Sequence, residues 1–227
     1  MQHPTGNTPK RVALIAAGPS MVEWPTIMAA STVEGPQVDE VWGINTVGRG
    51  VRCDVSFIMD DYAMIKGHVP GVESWYETCP HPIITSRPRP NCPNAHAFPL
   101  LEALALPNAR EFLNHSAAYA VVYAHLIGVE ELLIFGADYI GGGGGYNAGH
   151  AERPARYLGC ISYWIGYASA RGMDVVICPR SPLLDADQHP NQRFYGYPIK
   201  PVIKRQPVSD VPDERPRVRV AAKANAA

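Results

Sequence analysis

Val12-Ala13-Leu14-Ile15-Ala16-Ala17-Gly18-Pro19-Ser20-Met21 is the stretch on which the fold turns. Its apolar residues lack polar alternation, as a strand covered on both faces would. Gly18-Pro19-Ser20 then ends the strand in a tight turn before a helical stretch, Met21 to Ala30. The turn lacks the glycine spacing of a dinucleotide fingerprint and the lysine of a phosphate-binding P-loop, so ordinary NAD or ATP chemistry loses support. What it keeps is the capacity to aim backbone N–H groups and a hydroxyl at an anion near a helix N-terminus. The structural alternative is a plain strand-to-helix connection with Ser20 as its N-cap.

The same pattern recurs along the chain. Glu40-Val41-Trp42-Gly43-Ile44 stops at Asn45, and Val55-Ser56-Phe57-Ile58-Met59 stops at Asp60-Asp61. Pro82 to Ser86 reads as a short strand, and the Pro- and Asn-rich run Arg87 to Pro99 as a surface loop. Ser116 to Leu126 is the clearest helix, rich in Ala, Val and Tyr and closed by Gly128. Strand Leu132 to Phe135 follows and ends in Gly136-Ala137-Asp138-Tyr139, before the glycine run Gly141 to Gly145. A helix is expected from Pro154 to Arg171-Gly172, then a strand Asp174 to Cys178 ending at Pro179-Arg180-Ser181-Pro182. Strands alternating with helices predict an α/β fold, a Rossmann-like, mostly parallel sheet with helices on both faces. In such sheets ligands sit beyond the carboxyl ends of the strands, which would bring Gly18, Asn45, Asp60, Asp138 and Ser181 to one crevice. The expected organisation is an N-terminal extension over 1–10, one domain over 11–187 and a Pro/Arg/Ala-rich arm or tail over 188–227.

Bulk properties narrow the function. A chain of 227 residues, 46% hydrophobic and 18% charged, can bury one substantial core. A formal net charge of -1 gives no electrostatic reason to expect nucleic acid or an anionic membrane as the main partner. No apolar run approaches the roughly 20 residues that span a bilayer, and Met1 to Lys10 lacks the order of a secretory signal, so the expected location is cytoplasmic. Homo-oligomerisation is left open. Five cysteines at irregular spacing suggest reduced thiols rather than a disulfide framework. Cys79, His81, Cys92 and His96 cluster in sequence, but their spacing lacks the paired knuckle of a zinc site, and no metal is expected there.

The opening Val12 to Met21 resembles that of the bacterial family-42 sialyltransferases, whose Gly-Asn-Gly-Pro-Ser loop meets CMP-sialic acid, and of the related pterin-pyrophosphokinase-like and uncharacterised proteins with a Rossmann core. Ser116 to Gly128 is similar to that family's Ser-Gly-Val-Tyr segment and the apolar helix after it. Glu131 to Tyr139 is similar to its Glu-Ile-Tyr-Leu-Ser-Gly-Ile-Asp-Phe pattern, Gly149-His150 to its catalytic Gly-His, and Cys178 to Leu184 to Cys-Pro-Asn-Ser-Leu-Leu. The blocks keep their order from Arg11 to Leu184.

The resemblance implies a metal-independent glycosyltransferase, using no cofactor, that moves a sugar from a nucleotide-linked, CMP-type donor to an acceptor hydroxyl. His150 would be the general base and Tyr146 a donor to the departing phosphate. Gly18, Pro19 and Ser20, with Asn45, Ser116, Ala117, Asp138 and Ser181, would hold the nucleotide. A histidine that titrates near neutral pH and a phenolic donor suit that chemistry. The chain departs from the family at Ala17, where the loop asparagine belongs, and at Ile140, where a second phosphate-binding tyrosine belongs. The stretch from Tyr146 to His150 is also shorter than the family's lid.

Three residue readings stay open beside this one. His115 either touches a phosphate or caps a turn, Asp60-Asp61 either contacts ribose or has no ligand role, and Asp138 either bonds in the crevice or braces the loop. Two other functions also remain. One is a pyrophosphokinase-like or nucleotide-hydrolysing enzyme whose Asp60, Asp61 and Asp138 hold Mg²⁺. The other is a non-catalytic module that docks through Arg215, Arg217 and Arg219. The acceptor leaves no signature.

Overall fold

A computed structural model of the chain describes residues 2–25, 38–60, 70–139, 152–185 and 218–220. Its strands are β1 (Arg11–Ile15), β2 (Glu40–Ile44), β3 (Val55–Ile58), β4 (Ile83–Thr85), β5 (Ala95–Ala97), β6 (Glu131–Phe135), β7 (Asp174–Ile177) and β8 (Val218–Val220). The helices are α1 (Val72–Thr78), α2 (Leu100–Leu104), α3 (Ser116–Ile127) and α4 (Glu152–Ser169), with short 3-10 turns at Pro19–Val22, Asn45–Arg49 and Leu183–Asp185. All pairings are parallel, in the order β5-β4-β3-β2-β1-β6-β7-β8. The expected α/β class and largely parallel sheet are therefore what the chain forms.

β1 sits at the centre because both its faces are apolar. Val12 and Leu14 pack on one side with Trp42, Phe57, α3 and α4, while Ala13 and Ile15 pack on the other with Trp24, Val47, Leu133 and Phe135. A strand buried on both faces needs no polar alternation, which is why the run reads as continuous. The deep burial expected of α3 is present, from Ser116 through Ala124 with only Tyr119 half-exposed, and Gly128 closes the helix at φ 84. No helix among the described residues is long and apolar enough to cross a membrane.

One expectation needs correction. The run Arg87 to Pro99 is not wholly loop, because Ala95–Ala97 adds strand β5 to the β4 edge. Within the region read as an arm or tail, the described residues are Val218–Val220, which pair with β7.

The residues ahead of β1 are anchored at the amino-terminal ends of the strands, where β2 begins with Glu40. His3 is buried, with Nε2 2.9 Å from Glu40 Oε2 and Nδ1 3.1 Å from the Tyr123 hydroxyl. Trp42 Nε1–H and the Thr5 hydroxyl also donate to the Glu40 carboxylate, at 2.7 and 2.6 Å. Burial acts to raise the Glu40 carboxyl, but hydrogen bonds from His3, Thr5 and Trp42 outweigh it and hold the group below its ordinary 4.5. His3→Ala strips one partner from a buried carboxylate and is expected to lower stability by about 2 kcal/mol at neutral pH. A carboxyl whose folded pKa is depressed contributes stability above its unfolded value and loses it as pH falls through the folded one. Urea titrations of the two proteins should therefore converge as pH drops below 4.5. A gap that stays constant down to acid unfolding would remove Glu40 from the account.

Candidate functional site

The sheet order reverses at β1, whose neighbours β2 and β6 are reached in opposite directions, and a crevice opens outside the carboxyl ends of strands at such a point. The chain emerging from β1 and β6 meets there first. The Gly18 N–H donates to the Gly136 carbonyl at 2.7 Å, and the Gly136 N–H returns a bond to Ser20 Oγ at 2.8 Å. The Ser20 hydroxyl donates to Asp138 Oδ1 and the Ser20 N–H to Asp138 Oδ2, each at 2.6 Å. Ser20 and Asp138 are buried, so this is a charge-assisted latch away from solvent.

The latch changes what the first turn does. The N–H groups of Gly18, Ser20 and Met21 all bond inside the protein, and Pro19 has none. The residue at the N-cap position is Gly18, with no side-chain cap, so Ser20 does not take the capping role its sequence position suggested. Of the two roles open for Asp138, bracing is the one its geometry displays, and the brace is to the first turn.

A second junction joins β2, β3 and α3. Asn45, the first residue beyond β2, has φ 53 and is exposed, and its Oδ1 accepts a 2.9 Å bond from the Ser116 hydroxyl. Ser116 Oγ in turn accepts from the Met59 N–H at 3.3 Å. Left-handed backbone at a non-glycine residue costs on the order of 1 kcal/mol and concentrates at functional sites. Because Oδ1 faces Ser116, the two amide N–H donors of Asn45 are turned the other way. Ala117 is buried in the first turn of α3, and Asp60 is exposed at the β3 end.

A third cluster brings together residues that lie far apart in sequence. His115 occupies the N-cap position of α3, where its carbonyl accepts from the helix but its side chain makes no capping bond. Its Nε2 lies 2.9 Å from the Tyr157 carbonyl, which only accepts, so Nε2 carries the proton. Nδ1 is then the acceptor for the Tyr139 hydroxyl at 3.0 Å. Burial pushes the imidazole pKa down to about 4, with the Tyr157 carbonyl acting weakly in the other direction, so the ring is neutral near pH 7. The rings of Tyr139 and Tyr157 pack against it at 5.0 and 5.1 Å, and Tyr139 also has positive φ, 49.

At the end of β7, Ser181 is buried in a local turn, donating its N–H to the Cys178 carbonyl and accepting from the Leu183 N–H. The Cys178 thiol donates to Glu23 Oε2 at 2.8 Å, and Arg180 Nε lies 3.3 Å from Glu23 Oε1, which ties this end to the first turn. Burial and the Glu23 carboxylate push the Cys178 thiol up to about 12, so it is inert as a nucleophile.

No family model matches the chain, and no curated protein matches it in sequence. Among solved structures it is similar to the sialyltransferase CstII from Campylobacter jejuni in complex with a substrate analogue, CMP-3FNeuAc. That match has a TM-score of 0.49 and 13% identity, covering 76% of this chain and 82% of that one. The same enzyme in complex with cytidine-5'-monophosphate matches with a TM-score of 0.46 and 13% identity, over 76% of this chain and 81% of that one.

The sequence-predicted residues divide into three groups. Gly18, Pro19, Ser20, Asn45, Ser116, Ala117, Asp138 and Ser181 all lie at the carboxyl edge, at strand ends or in the first turn of α3. Tyr146, His150, Ile140 and Asp61 lie outside the described residues. The Cys79, His81, Cys92, His96 set is not gathered into one constellation. His81 Nε2 bonds Ser56 Oγ at 2.8 Å, both thiols are buried in an apolar cluster, and His96 is exposed. Among the described residues no group of three or more His, Cys, Asp and Glu is placed to hold a metal ion. The Tyr139–His115–Tyr157 cluster was not visible in sequence, since its members are joined only by the packing of α4 against α3 and β6.

Proposed function

We propose that the chain is a metal-independent glycosyltransferase-like enzyme that moves a sugar from a nucleotide-linked, CMP-type donor to an acceptor hydroxyl. The observation that carries this reading is the Asn45–Ser116 junction at the crevice. It orients a side-chain amide, on strained backbone, to offer two fixed donors to a polar ligand. The ordered blocks of sequence between Arg11 and Leu184 that resemble the sialyltransferases supply the donor class and the remaining roles. His150 is the general base that takes the acceptor proton, and Tyr146 hydrogen-bonds the departing phosphate. The latch of Gly18, Ser20 and Asp138 forms the floor under the donor rather than its principal contact, which leaves the nucleotide to Asn45, Ser116 and the edge of the turn at Ala17.

The magnesium-dependent alternative is less well supported, because both carboxylate oxygens of Asp138 already accept hydrogen bonds from Ser20. Calorimetric titration with CMP, UDP, GDP and their sugars tests the proposal, followed by product analysis of His150→Ala with a mixture of acceptor hydroxyls. Cytidine nucleotides are expected to bind in the micromolar range, and the histidine variant to lose at least about a hundredfold in turnover. No nucleotide bound below millimolar concentration, or turnover that survives His150→Ala, would sink it.

A further inference from the structure

The stretch Cys178 to Leu184 was expected to reach a ligand through Ser181, but that serine is buried in a local turn. Cys178, Pro179 and Leu183 are buried as well, and the exposed members of the stretch are Arg180 and Leu184. Both stand beyond the carboxyl end of β7, on the loop that Cys178 and Glu23 tie to the first turn.

Arg180 is held in a particular way. Its side chain is 67% exposed, yet its Nε lies 3.3 Å from Oε1 of the mostly buried Glu23, whose other oxygen accepts the Cys178 thiol at 2.8 Å. A guanidinium gripped at Nε keeps its end-on edge, with parallel N–H groups on Nη1 and Nη2, for a planar oxyanion. The arginine also stands where the resembled block, Cys-Pro-Asn-Ser-Leu-Leu, has asparagine.

Leu184 is anomalous on separate grounds. Its φ is 54, a left-handed value at which a bulky residue is strained. Two other non-glycine residues with positive φ, Asn45 and Asn108, are of the type that tolerates it, and the ring of Tyr139 packs on His115. Leu184 is 37% exposed and belongs to no apolar cluster among the described residues, so burial does not offset its strain. Val22, the neighbour of Glu23 on the first turn, adds a second exposed apolar side chain near the same ion pair.

We infer that Arg180 and Leu184 form the acceptor subsite, and that the acceptor is an anion with an apolar flank: the end-on edge of Arg180 takes its carboxylate or phosphate group, and Leu184 packs beside it. The inference rests on the transferase reading given above, which puts the nucleotide on Asn45 and Ser116. In the order β3-β2-β1-β6-β7 those residues lie on one side of β1 and the β7 loop on the other, so the loop faces the second substrate. A cation beside apolar side chains is the composition of a site that orients a small ligand by one polar group.

Three hydroxyl-bearing aromatic fragments test this by NMR titration without nucleotide: para-hydroxymethylbenzoate, para-hydroxymethylphenyl phosphate and neutral benzyl alcohol. At least one anionic fragment should bind about tenfold tighter than benzyl alcohol, and the tighter of the two identifies the oxyanion. Arg180→Gln should remove that preference while CMP still binds. Leu184→Asn keeps a residue suited to the backbone, so it should weaken all three fragments about threefold with a urea midpoint no lower than that of the wild type. No binding of either anion, equal binding of charged and neutral fragments, or a preference that survives Arg180→Gln would overturn the inference. So would a lower midpoint with unchanged fragment binding in Leu184→Asn, which would make the leucine part of the fold. Loss of CMP binding in Arg180→Gln would also overturn it, by moving the arginine to the donor. A wild-type protein that binds the anionic fragments but no CMP counts against the nucleotide reading alone.

Discussion

Gly136→Ala is expected to cost the protein at least about 3 kcal/mol, enough to leave a large fraction unfolded under mild denaturant. Two independent effects act together at this residue. Its φ of 69 is left-handed, which costs a side-chain-bearing residue about 1 kcal/mol. A Cβ there would also press into the Ala16 carbonyl, 2.7 Å from its carbon and 3.1 Å from Met21 Cβ. The Ala16 carbonyl is main chain at the end of the central strand and cannot swing aside like the tip of a flexible side chain. Relief requires β1 and β6 to part at their carboxyl ends, which breaks the Gly18-to-Gly136 and Gly136-to-Ser20 bonds. Gly159→Ala provides the internal control, since that glycine lies within α4 with nothing inside 4 Å of a new Cβ. It should stabilise by about 0.5 to 1 kcal/mol, as glycine-to-alanine changes in helix interiors do. Urea midpoints for the two variants should therefore move in opposite directions. Equal shifts would mean that the close approach of the two turns is not a constraint on the fold.

This junction also shows where sequence reasoning reached and where it stopped. β1, β2, β3, β6 and β7 were legible because each is an apolar run closed by a polar or glycine-containing turn, and α3 because its apolar content continues until Gly128. β5 was not legible, since Ala95-His96-Ala97 has no strand pattern of its own. It is held as a strand by β4, through bonds such as Ile83 N–H to Asn94 and Phe98 N–H to Thr85. The short helices α1 and α2 likewise carry no sustained period. At the site, strand ends located Asn45 and Asp138, but not their duties. Ser20 and Asp138 are 118 positions apart, and no local signal says that the serine will use both its hydroxyl and its N–H on that carboxylate. His115 and Tyr139 are separated in the same way, and only the fold makes them partners.

Asp138→Asn is the sharper test of what that carboxylate does, because it removes the charge while keeping the shape. Gly136 N–H donates to Ser20 Oγ, so the serine hydroxyl must direct its own proton toward Asp138 Oδ1. The Ser20 N–H needs Oδ2 as a second acceptor. An aspartate supplies both acceptors, whereas an asparagine supplies one acceptor and one N–H₂ donor, so either the Ser20 N–H faces a donor or the Ser20 hydroxyl loses the acceptor for its proton, in a buried site. The expected loss is about 3 kcal/mol, the magnitude of breaking a buried charge-assisted bond and leaving a donor unpaired. Ser20→Ala should lose about 2 kcal/mol, because it strands the buried Gly136 N–H as well as one carboxylate oxygen. The double variant should cost less than the sum of the two, since both changes dismantle one network. If Asp138→Asn instead keeps its urea midpoint within experimental scatter while CMP affinity collapses, the carboxylate is a ligand contact and the latch is incidental. A loss of stability with CMP affinity reduced only in proportion to the folded fraction assigns it to the latch between the β1 and β6 turns, where its two bonds to Ser20 lie.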